Sequence, residues 1–543
     1  MVSGAKRSRQ AALRRLLFAL ALVAYCLCSL RYILATSVVE EGQRWFVLWD
    51  DAMISMQYAR NLAYGHGLVW NVGGEPVQGF TNLGITLFMA FLHGLAIPLP
   101  YVSLAFQLVN LVVLVGILFG IHRLARLVFP QKPQIADGAA ILTGLYGPLA
   151  IWGLQGADFP IQAAIAIGAL CLLLEAHKEG RPPPLSVFVV LAVGIVIRED
   201  FALVFGTVWL WSVCFAFPNW RSALPSALLG LGVVVVLLLF SQWYFGDPLP
   251  NTYYLKSGGH PRLEMVINGF RQLMIFYPGF KVAVLVLFVA YTIPLLLRDA
   301  DRSLLLLVLL IAGQFAYFVW IGGDWAIDHM SRYLMVAMPL FILLLVGGTW
   351  DFLLIRARTA GSALGGGRLM LFWAQVALFV WLLNPPASFS EWHLATEEPR
   401  FRKENALNLH MAYGLCAYTA PDTTVGIFWA GLTPYVCSRD YLDLLGRTDR
   451  HIAKKRMTSF EGGPGHAKWD WDYVFGERKP DVLATFIPEI QARSDFDGDY
   501  CAARMPRPRL IIPVRKDALD KILDRDRRLC GVRDYDRCIP CEL

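Results

Sequence analysis

Charge is scarce in this sequence: Asp, Glu, Lys and Arg make up 17% of its 543 residues, whereas hydrophobic residues make up 56%. That scarcity excludes a soluble domain of ordinary composition and fits an integral membrane protein. A basic stripe with interleaved aromatics is also missing. The net charge of +7 therefore speaks for topology and against nucleic acid, because the basic residues cluster in short linkers between apolar runs. No internal inverted repeat stands out, which counts against a transporter of lipid-linked sugars. No second CxxC accompanies Cys538 and Cys541, so disulfides are favoured there over zinc.

What the chain does have is a series of apolar runs beginning near Leu16, Tyr101, Gly138, Pro160, Leu185, Phe201, Ala223, Phe280, Ser303, Tyr333 and Met370. They predict about eleven transmembrane helices. Lys6, Arg7, Arg9, Arg14 and Arg15 mark a cytoplasmic start before an uncleaved anchor. A further run, Leu83 to Leu99, would push the basic linker His122–Lys132 to the outside if it crossed fully. Its Gly84, Gly94, Pro98 and Pro100 instead predict a segment that dips into the membrane and returns.

Residues 1–15 then read as cytoplasmic, and 16–385 as a transmembrane domain with its first external loop over 36–100. Residues 386–543 read as an extracytoplasmic α/β domain, because short apolar stretches such as Thr424–Phe428 alternate there with polar, turn-rich sequence. Cys26, Cys28, Cys171 and Cys214 lie in apolar runs. Cys416, Cys437, Cys501, Cys530, Cys538 and Cys541 all lie in the C-terminal domain, as expected for disulfides in an oxidising compartment.

With this topology the unusual polar residues share the outward side. Asp50 and Asp51 open a helical stretch that runs to Gly65, His66 and Gly67. Adjacent carboxylates repel each other, which raises one pKa and suits it to accept a proton from a hydroxyl. The alternative is that one of them caps a helix. Arg198 and Asp200 sit between two apolar runs, where a mutual ion pair is the alternative to a ligand. Asn251, Tyr253, Tyr254 and Lys256 follow a Pro-rich turn, with Lys256 placed to neutralise a lipid phosphate and the aromatics equally suited to interface anchoring. Gly322, Gly323 and Asp324 precede Arg332. There Arg332 can fork onto a phosphate and Asp324 can hold sugar hydroxyls, or simply cap a tight turn. In the C-terminal domain, His466 sits in a loop-forming Gly-Pro-Gly-His sequence as a candidate acceptor contact or a surface turn. Trp429, Tyr435, Trp469 and Trp471 are candidate sugar platforms or core residues.

The strings DDAMISMQYARNLAYGHGLVWN, YFGDPLPNTYYLK, IGGDWAIDHMSRYLMVAMPL, YLDLLGRTDRHIAKK and PGHAKWDWDYVFGERKPDVL, in that order, resemble the GT-C arabinofuranosyltransferase group typified by the mycobacterial terminal β-(1→2)-arabinofuranosyltransferase. The resemblance implies a GT-C-like fold in a bacterial inner membrane and a catalytic acid at Asp50 or Asp51. It also implies a polyprenyl-phosphate sugar donor, arabinofuranose favoured, and an envelope glycan, lipid or protein acceptor. Arg198, Lys256 and Arg332 would hold the donor phosphate. Asp200, Asn251, Tyr253, Tyr254, Asp324, His66 and His466 would contact sugar or acceptor. The superfamily admits a divalent metal, but the sequence offers no dense ligand cluster, so metal and cofactor stay unassigned. Where the group often has Gly-Leu-Glu, this chain has Gly153, Leu154 and Gln155, so a carboxylate role there is either lost or moved to Asp158. A noncatalytic envelope or motility assembly factor is the other reading that such a scaffold allows.

Overall fold

The structure, a computed structural model, describes residues 2–259, 261–275, 279–284, 302–324, 331–359, 367–456, 465–484, 498–505, 510–523 and 528–530. Helices form at the predicted apolar runs. Among the described residues, Ala12–Thr36, Leu99–Val128, Phe159–Lys178, Trp220–Phe245 and Arg302–Trp320 are long and apolar enough to cross a membrane. Two bent pairs pass the same test, Pro133–Gly144 with Gly147–Leu154 and Met370–Leu383 with Pro386–Leu394, bent by 51° and 111°. The shorter helices Leu185–Ile197 and Ala202–Phe215 and the 22-residue helix Met338–Thr359 account for further predicted runs. Most of the run beginning at Phe280 lies outside the described residues. The chain is a multi-pass membrane protein.

The bends have local causes. Pro148 and Pro386 each sit in the first turn of the second half of their pair, where a missing N–H costs nothing but the preceding helix cannot continue. The freed backbone is met by Asn384: its amide donates to Leu145 O at 3.0 Å and Val380 O at 2.7 Å, and its oxygen accepts from Gly147 N at 2.7 Å. One buried amide therefore satisfies both breaks, as a low-dielectric interior requires.

Leu83–Gly94 is a helix of 12 residues. It rises only about 18 Å, less than the roughly 30 Å hydrocarbon core, as does the 13-residue Leu185–Ile197 helix.

The chain forms two compact units. One comprises Met1–Ala35, Phe106–Leu237 and Arg262–Glu398; the other comprises Thr36–Ala105, Leu238–Pro261 and Pro399–Leu543. Residues 36–100, the first external loop of the sequence reading, thus belong with the C-terminal sheet. A small hairpin of β1 (Val38–Glu40) and β2 (Gln43–Trp45) opens the second unit. Its main sheet has six strands: β3 (Thr424–Ile427), β4 (Asp440–Asp443), β5 (Val482–Leu483), β6 (Tyr500–Met505), β7 (Leu510–Arg515) and β8 (Arg528–Cys530). Their order is β4-β3-β5-β7-β6-β8, with β3 parallel to β4 and β5 and the remaining pairs antiparallel. The expected α/β domain is present.

A single core explains why the first loop docks here. Tyr58, Trp70 and Phe80 from the loop pack with Leu415, Val425, Ile427, Ile512 and Val514 of the C-terminal region. The Asp50–Ala63 helix is buried from Ala52 to Asn61. Its polar members satisfy backbone that would otherwise be orphaned: Gln57 donates to Trp70 O, and Asn61 donates to Val69 O and Trp70 O.

A disulfide joins Cys416 to Cys437, tying the end of the Arg400–Tyr418 helix to the short Leu432–Val436 helix. Cys501 is also disulfide-bonded. Cys538 and Cys541 lie outside the described residues. Closing a loop over a sequence separation of 21 removes denatured-state entropy worth about 3 kcal/mol. The Cys416→Ser/Cys437→Ser double variant is therefore expected to lose about that much stability in chemical unfolding followed by tryptophan fluorescence. Reducing agent should reproduce part of the loss in the wild type and add none in the variant through this bridge.

Candidate active site

The second unit gathers one constellation of charge around a residue that the sequence reading passed over, Arg447. Its guanidinium pairs through Nη1 with the carboxylate of Asp51 and through Nη2 reaches His466 Nε2 at 3.1 Å. An accepting Nε2 places the imidazole proton on Nδ1. Gly465, the neighbour of His466, packs closely on the Lys256 side chain: a Cβ there would lie 3.3 Å from Lys256 Cε. Asp51, Arg447 and His466 thus form a chain of contacts, with the Lys256 side chain against the residue before His466. The nearby Lys468 braces this region, donating to Tyr254 O at 2.9 Å and Ala453 O at 2.7 Å. Burial without a carboxylate partner pulls its pKa down to about 8.

Arg447 is positioned by the turn after β4. Asp443, buried, accepts from the amides of Leu445, Gly446 and Thr448 and from the Thr448 hydroxyl. Gly446 takes a φ of +78°, which a side chain would resist. From the other side Asn251 donates to the carbonyls of Gly446, Arg447 and Asp449. Asn251, expected to contact sugar or acceptor, is buried here with its amide engaged on the backbone of the turn that presents Arg447.

The two neighbouring acids have separate surroundings. Asp50 Oδ1 accepts from the amides of Gly431 and Leu432, both at 3.2 Å, capping the Leu432–Val436 helix across the chain. The capping alternative therefore holds for Asp50, though toward a distant helix and not its own. A Cβ on residue 431 would lie 2.0 Å from the Asp50 carbonyl oxygen, so only glycine admits this approach. The other oxygen, Oδ2, is shielded from solvent and has no hydrogen-bond partner. Burial pushes the Asp50 carboxyl up to about 6, against the pull of Arg447 and of the Leu432 and Gly431 amides, with Asp443 adding repulsion. Asp443 is also raised to about 6, again by burial. Asp51, a quarter exposed at its side chain, is the more accessible carboxylate.

Other expected contacts are placed elsewhere. His66 is exposed on the turn beyond the far end of the Asp50–Ala63 helix, about 20 Å of helical rise from the acids, so it does not join them. Tyr253 is exposed and meets Tyr254 edge-on, while Lys454 lies over the Tyr254 ring at 4.9 Å. Tyr435 is a core residue, its hydroxyl on His93 Nε2 and Arg60 over its ring. Trp469 and Trp471 stack on each other, and Trp429 is exposed.

Arg198, Asp200, Asp324 and Arg332 belong to the first unit and form their own cluster. Arg198 pairs with Asp158 at 3.1 Å and with Asp200 at 2.9 Å, and lies over the rings of Phe159 and Tyr333. Asp200 also accepts from Tyr317 at 3.1 Å and Gln162 at 3.3 Å. Arg332 lies over the same Tyr333 ring and pairs with Asp324 at 3.5 Å, which accepts from Ser331 at 3.3 Å. Arg198, the expected phosphate ligand, is thus held by two carboxylates in this structure, as the ion-pair alternative expects. Asp158, the alternative seat of the carboxylate role that Gln155 lacks, is one of those partners. Among the described residues no three His, Cys, Asp or Glu side chains converge as ligands for a metal ion, so no step below runs through one.

Residues 395–521 match a family model described as a domain of unknown function (DUF8728). The chain is 25% identical over 385 residues to the terminal beta-(1->2)-arabinofuranosyltransferase of Mycobacterium tuberculosis (strain ATCC 25618 / H37Rv), a match covering 63% of this chain and 59% of that protein. In structure it is similar to ArnT from Cupriavidus metallidurans in the apo state, with a TM-score of 0.53 at 13% identity over 93% of this chain and 98% of the other. It is also similar to the apo oligosaccharyltransferase of Archaeoglobus fulgidus, with a TM-score of 0.51 at 10% identity over 94% of this chain and 76% of the other. These likenesses show that the chain shares the fold of these two proteins.

The raised carboxyls of Asp50 and Asp443 give a pH signature. A folded pKa near 6 lies above the unfolded value of about 3.9, so the folded chain binds protons more tightly. Stability should then rise as pH falls through 6 and level off near 4. Asn keeps the oxygen that caps Gly431 and Leu432 but cannot titrate. Asp50→Asn is thus expected to reduce the gain in thermal midpoint between pH 7.5 and 5; an unchanged gain would contradict the burial of Asp50.

Proposed function

We propose that this chain, which has the GT-C membrane fold, transfers a sugar from a polyprenyl-phosphate donor to an envelope acceptor at the extracytoplasmic face of a bacterial cytoplasmic membrane. The observation that carries the reading is the Asp51–Arg447–His466 array with Lys256 beside it. Glycosyl transfer from a lipid phosphate needs a carboxylate for the acceptor proton and cations for the departing phosphate. The array holds both in one compact unit.

In direct displacement, the acceptor oxygen bonds to the sugar's anomeric carbon as the bond from that carbon to the phosphate oxygen breaks. The electron pair leaves with the polyprenyl phosphate, and the acceptor proton passes to Asp51. Lys256, Arg447 and His466 would stabilise the anion that departs. Arg447, by pairing with Asp51, holds the carboxylate in place. Asp50, its partly buried carboxyl raised and its oxygen on Gly431 and Leu432, positions the start of the helix that carries Asp51.

Arabinofuranose is the favoured sugar, supported by the resemblance of the first-loop and C-terminal strings and by the curated relative's name. The Cys416–Cys437 bridge supports an oxidising, extracytoplasmic setting for the second unit.

The test is incubation of purified protein with radiolabelled polyprenyl-phosphate sugars and envelope extract, following the label. Wild type should label an acceptor, with decaprenyl-phosphoryl-arabinose the best donor. Asp51→Asn should lower transfer by roughly 10²–10⁴-fold at unchanged expression. Full activity of Asp51→Asn would remove the proposed base.

A further inference from the structure

The Arg262–Ile275 helix of the first unit is amphipathic in a way that its packing within the unit does not explain. Met265 and Gly269 are buried on one side. Leu263, Ile267, Phe270 and Met274 fall at i, i+4, i+7 and i+11, on one stripe of the other side. All four are exposed, Leu263 by 70% and Met274 by 60%. Arg262, Glu264 and Arg271 are exposed beside the stripe. A row of four apolar side chains edged by charge is costly to leave in water and marks a surface that meets something apolar.

What lies under the helix says what covers its outer face. The Arg302–Trp320 helix is a candidate membrane span. Its 19 residues rise about 28 Å, close to the roughly 30 Å hydrocarbon core. Its ends therefore emerge at the two interfaces, with an arginine at one and a tryptophan at the other, as such levels favour. The Arg262–Ile275 helix rests on the tryptophan end. Arg262 lies over the Trp320 ring at 5.2 Å, and Asn268 donates to Gly322 O at 2.8 Å. Gly269 packs against the Val319 backbone too closely for a side chain, and a Cβ on Gly323 would lie 2.7 Å from Gln272 Cγ. From Arg262 to Gln272, about 15 Å of helix is laid against residues 319–323 alone in these contacts. Helices packed side by side would instead pair residues steadily along both axes. This helix crosses the end of the span, in the plane of the interface.

We propose that the Arg262–Ile275 helix is an interfacial anchor, lying flat on the bilayer with Leu263, Ile267, Phe270 and Met274 in the boundary between headgroups and acyl chains and its flanking arginines at headgroup level. An apolar stripe of this width with cations beside it fits a lipid surface of phosphate headgroups over hydrocarbon. Arg262 follows Lys256 by six residues, at most about 21 Å of extended chain. The anchor thus keeps the lysine proposed for the donor phosphate within reach of the layer where lipid phosphates lie. Its existence does not depend on the transferase reading.

The test reconstitutes the full chain in liposomes of phosphatidylethanolamine and phosphatidylglycerol, with the fluorescent residue dansylalanine replacing Leu263, Ile267, Phe270 or Met274 in turn. These side chains are exposed, so each variant should keep the wild-type thermal midpoint, which is measured first. Quenching is then compared between lipids carrying a nitroxide near the headgroup and lipids carrying it near the chain end. Each position is expected to be quenched roughly twofold or more, more strongly by the shallow nitroxide, with the four depths agreeing within about 5 Å. A helix that crossed the bilayer would spread the depths from Leu263 to Met274 by about 16 Å. That spread would overturn the anchor. So would the absence of quenching at all four positions, the result expected if water, a second copy or another protein covers the stripe. Neither result touches the transferase reading, which fails separately through full transfer by Asp51→Asn.

Discussion

A carboxylate and a guanidinium 396 residues apart in sequence meet in the second unit, and the candidate site depends on that pairing. Asp51 alone would be an exposed acid at the start of a helix. Arg447 alone would be a cation taken out of water into low-dielectric surroundings for no return, and its burial is tolerable because a carboxylate beside it compensates. His466 extends the array by one hydrogen bond, and Lys256 sits against its neighbour. Every element that shapes the turn after β4, from the Asp443 carboxylate to the Asn251 amide, serves to fix where that guanidinium points.

Adjacency in sequence does not make Asp50 and Asp51 equivalent. Successive residues on a helix point about 100° apart, so one carboxyl turns inward to cap the Leu432–Val436 helix and the other turns to Arg447. Burial without a full set of partners raises the first; a cation holds the second. Gly431 is what makes the inward turn feasible, since any Cβ there would collide with Asp50 backbone. The membrane unit solves a related problem at its two helix breaks, where Asn384 meets backbone groups that water cannot reach.

Local signals in the sequence carried much of this account. Apolar run lengths located the helices, Gly and Pro between Gly84 and Pro100 marked a segment too short to cross, and the acids after the first span were found by their setting. The helices at those runs and the C-terminal sheet bear out the fold reading. Arg447 was missed although it lies in a string singled out for its resemblance, because nothing in Leu444-Leu445-Gly446-Arg447 says which distant carboxylate it will meet. The same limit hides the partners of Arg198 and Asn251. A lone Arg between apolar runs reads equally as phosphate ligand or ion-pair member, and only the arrival of Asp158 across 40 residues decides it. An Asn after a Pro-rich turn looks available until three carbonyls close on it. The Gly446 turn was the one local clue, a glycine followed by Arg and Thr just past a short apolar strand.

The central claim is that Asp51 and Arg447 act as one unit in transfer, and a double-mutant cycle measures that directly. Transfer rates are compared for wild type, Asp51→Asn, Arg447→Gln and the double variant, each with a thermal midpoint near the wild type's. Residues that act together give strongly non-additive losses, so the double variant should transfer no more slowly than Asp51→Asn alone. Losses that multiply, with the double variant slower by the product of the two single effects, would show that the pair does not work as a unit and would contradict the account.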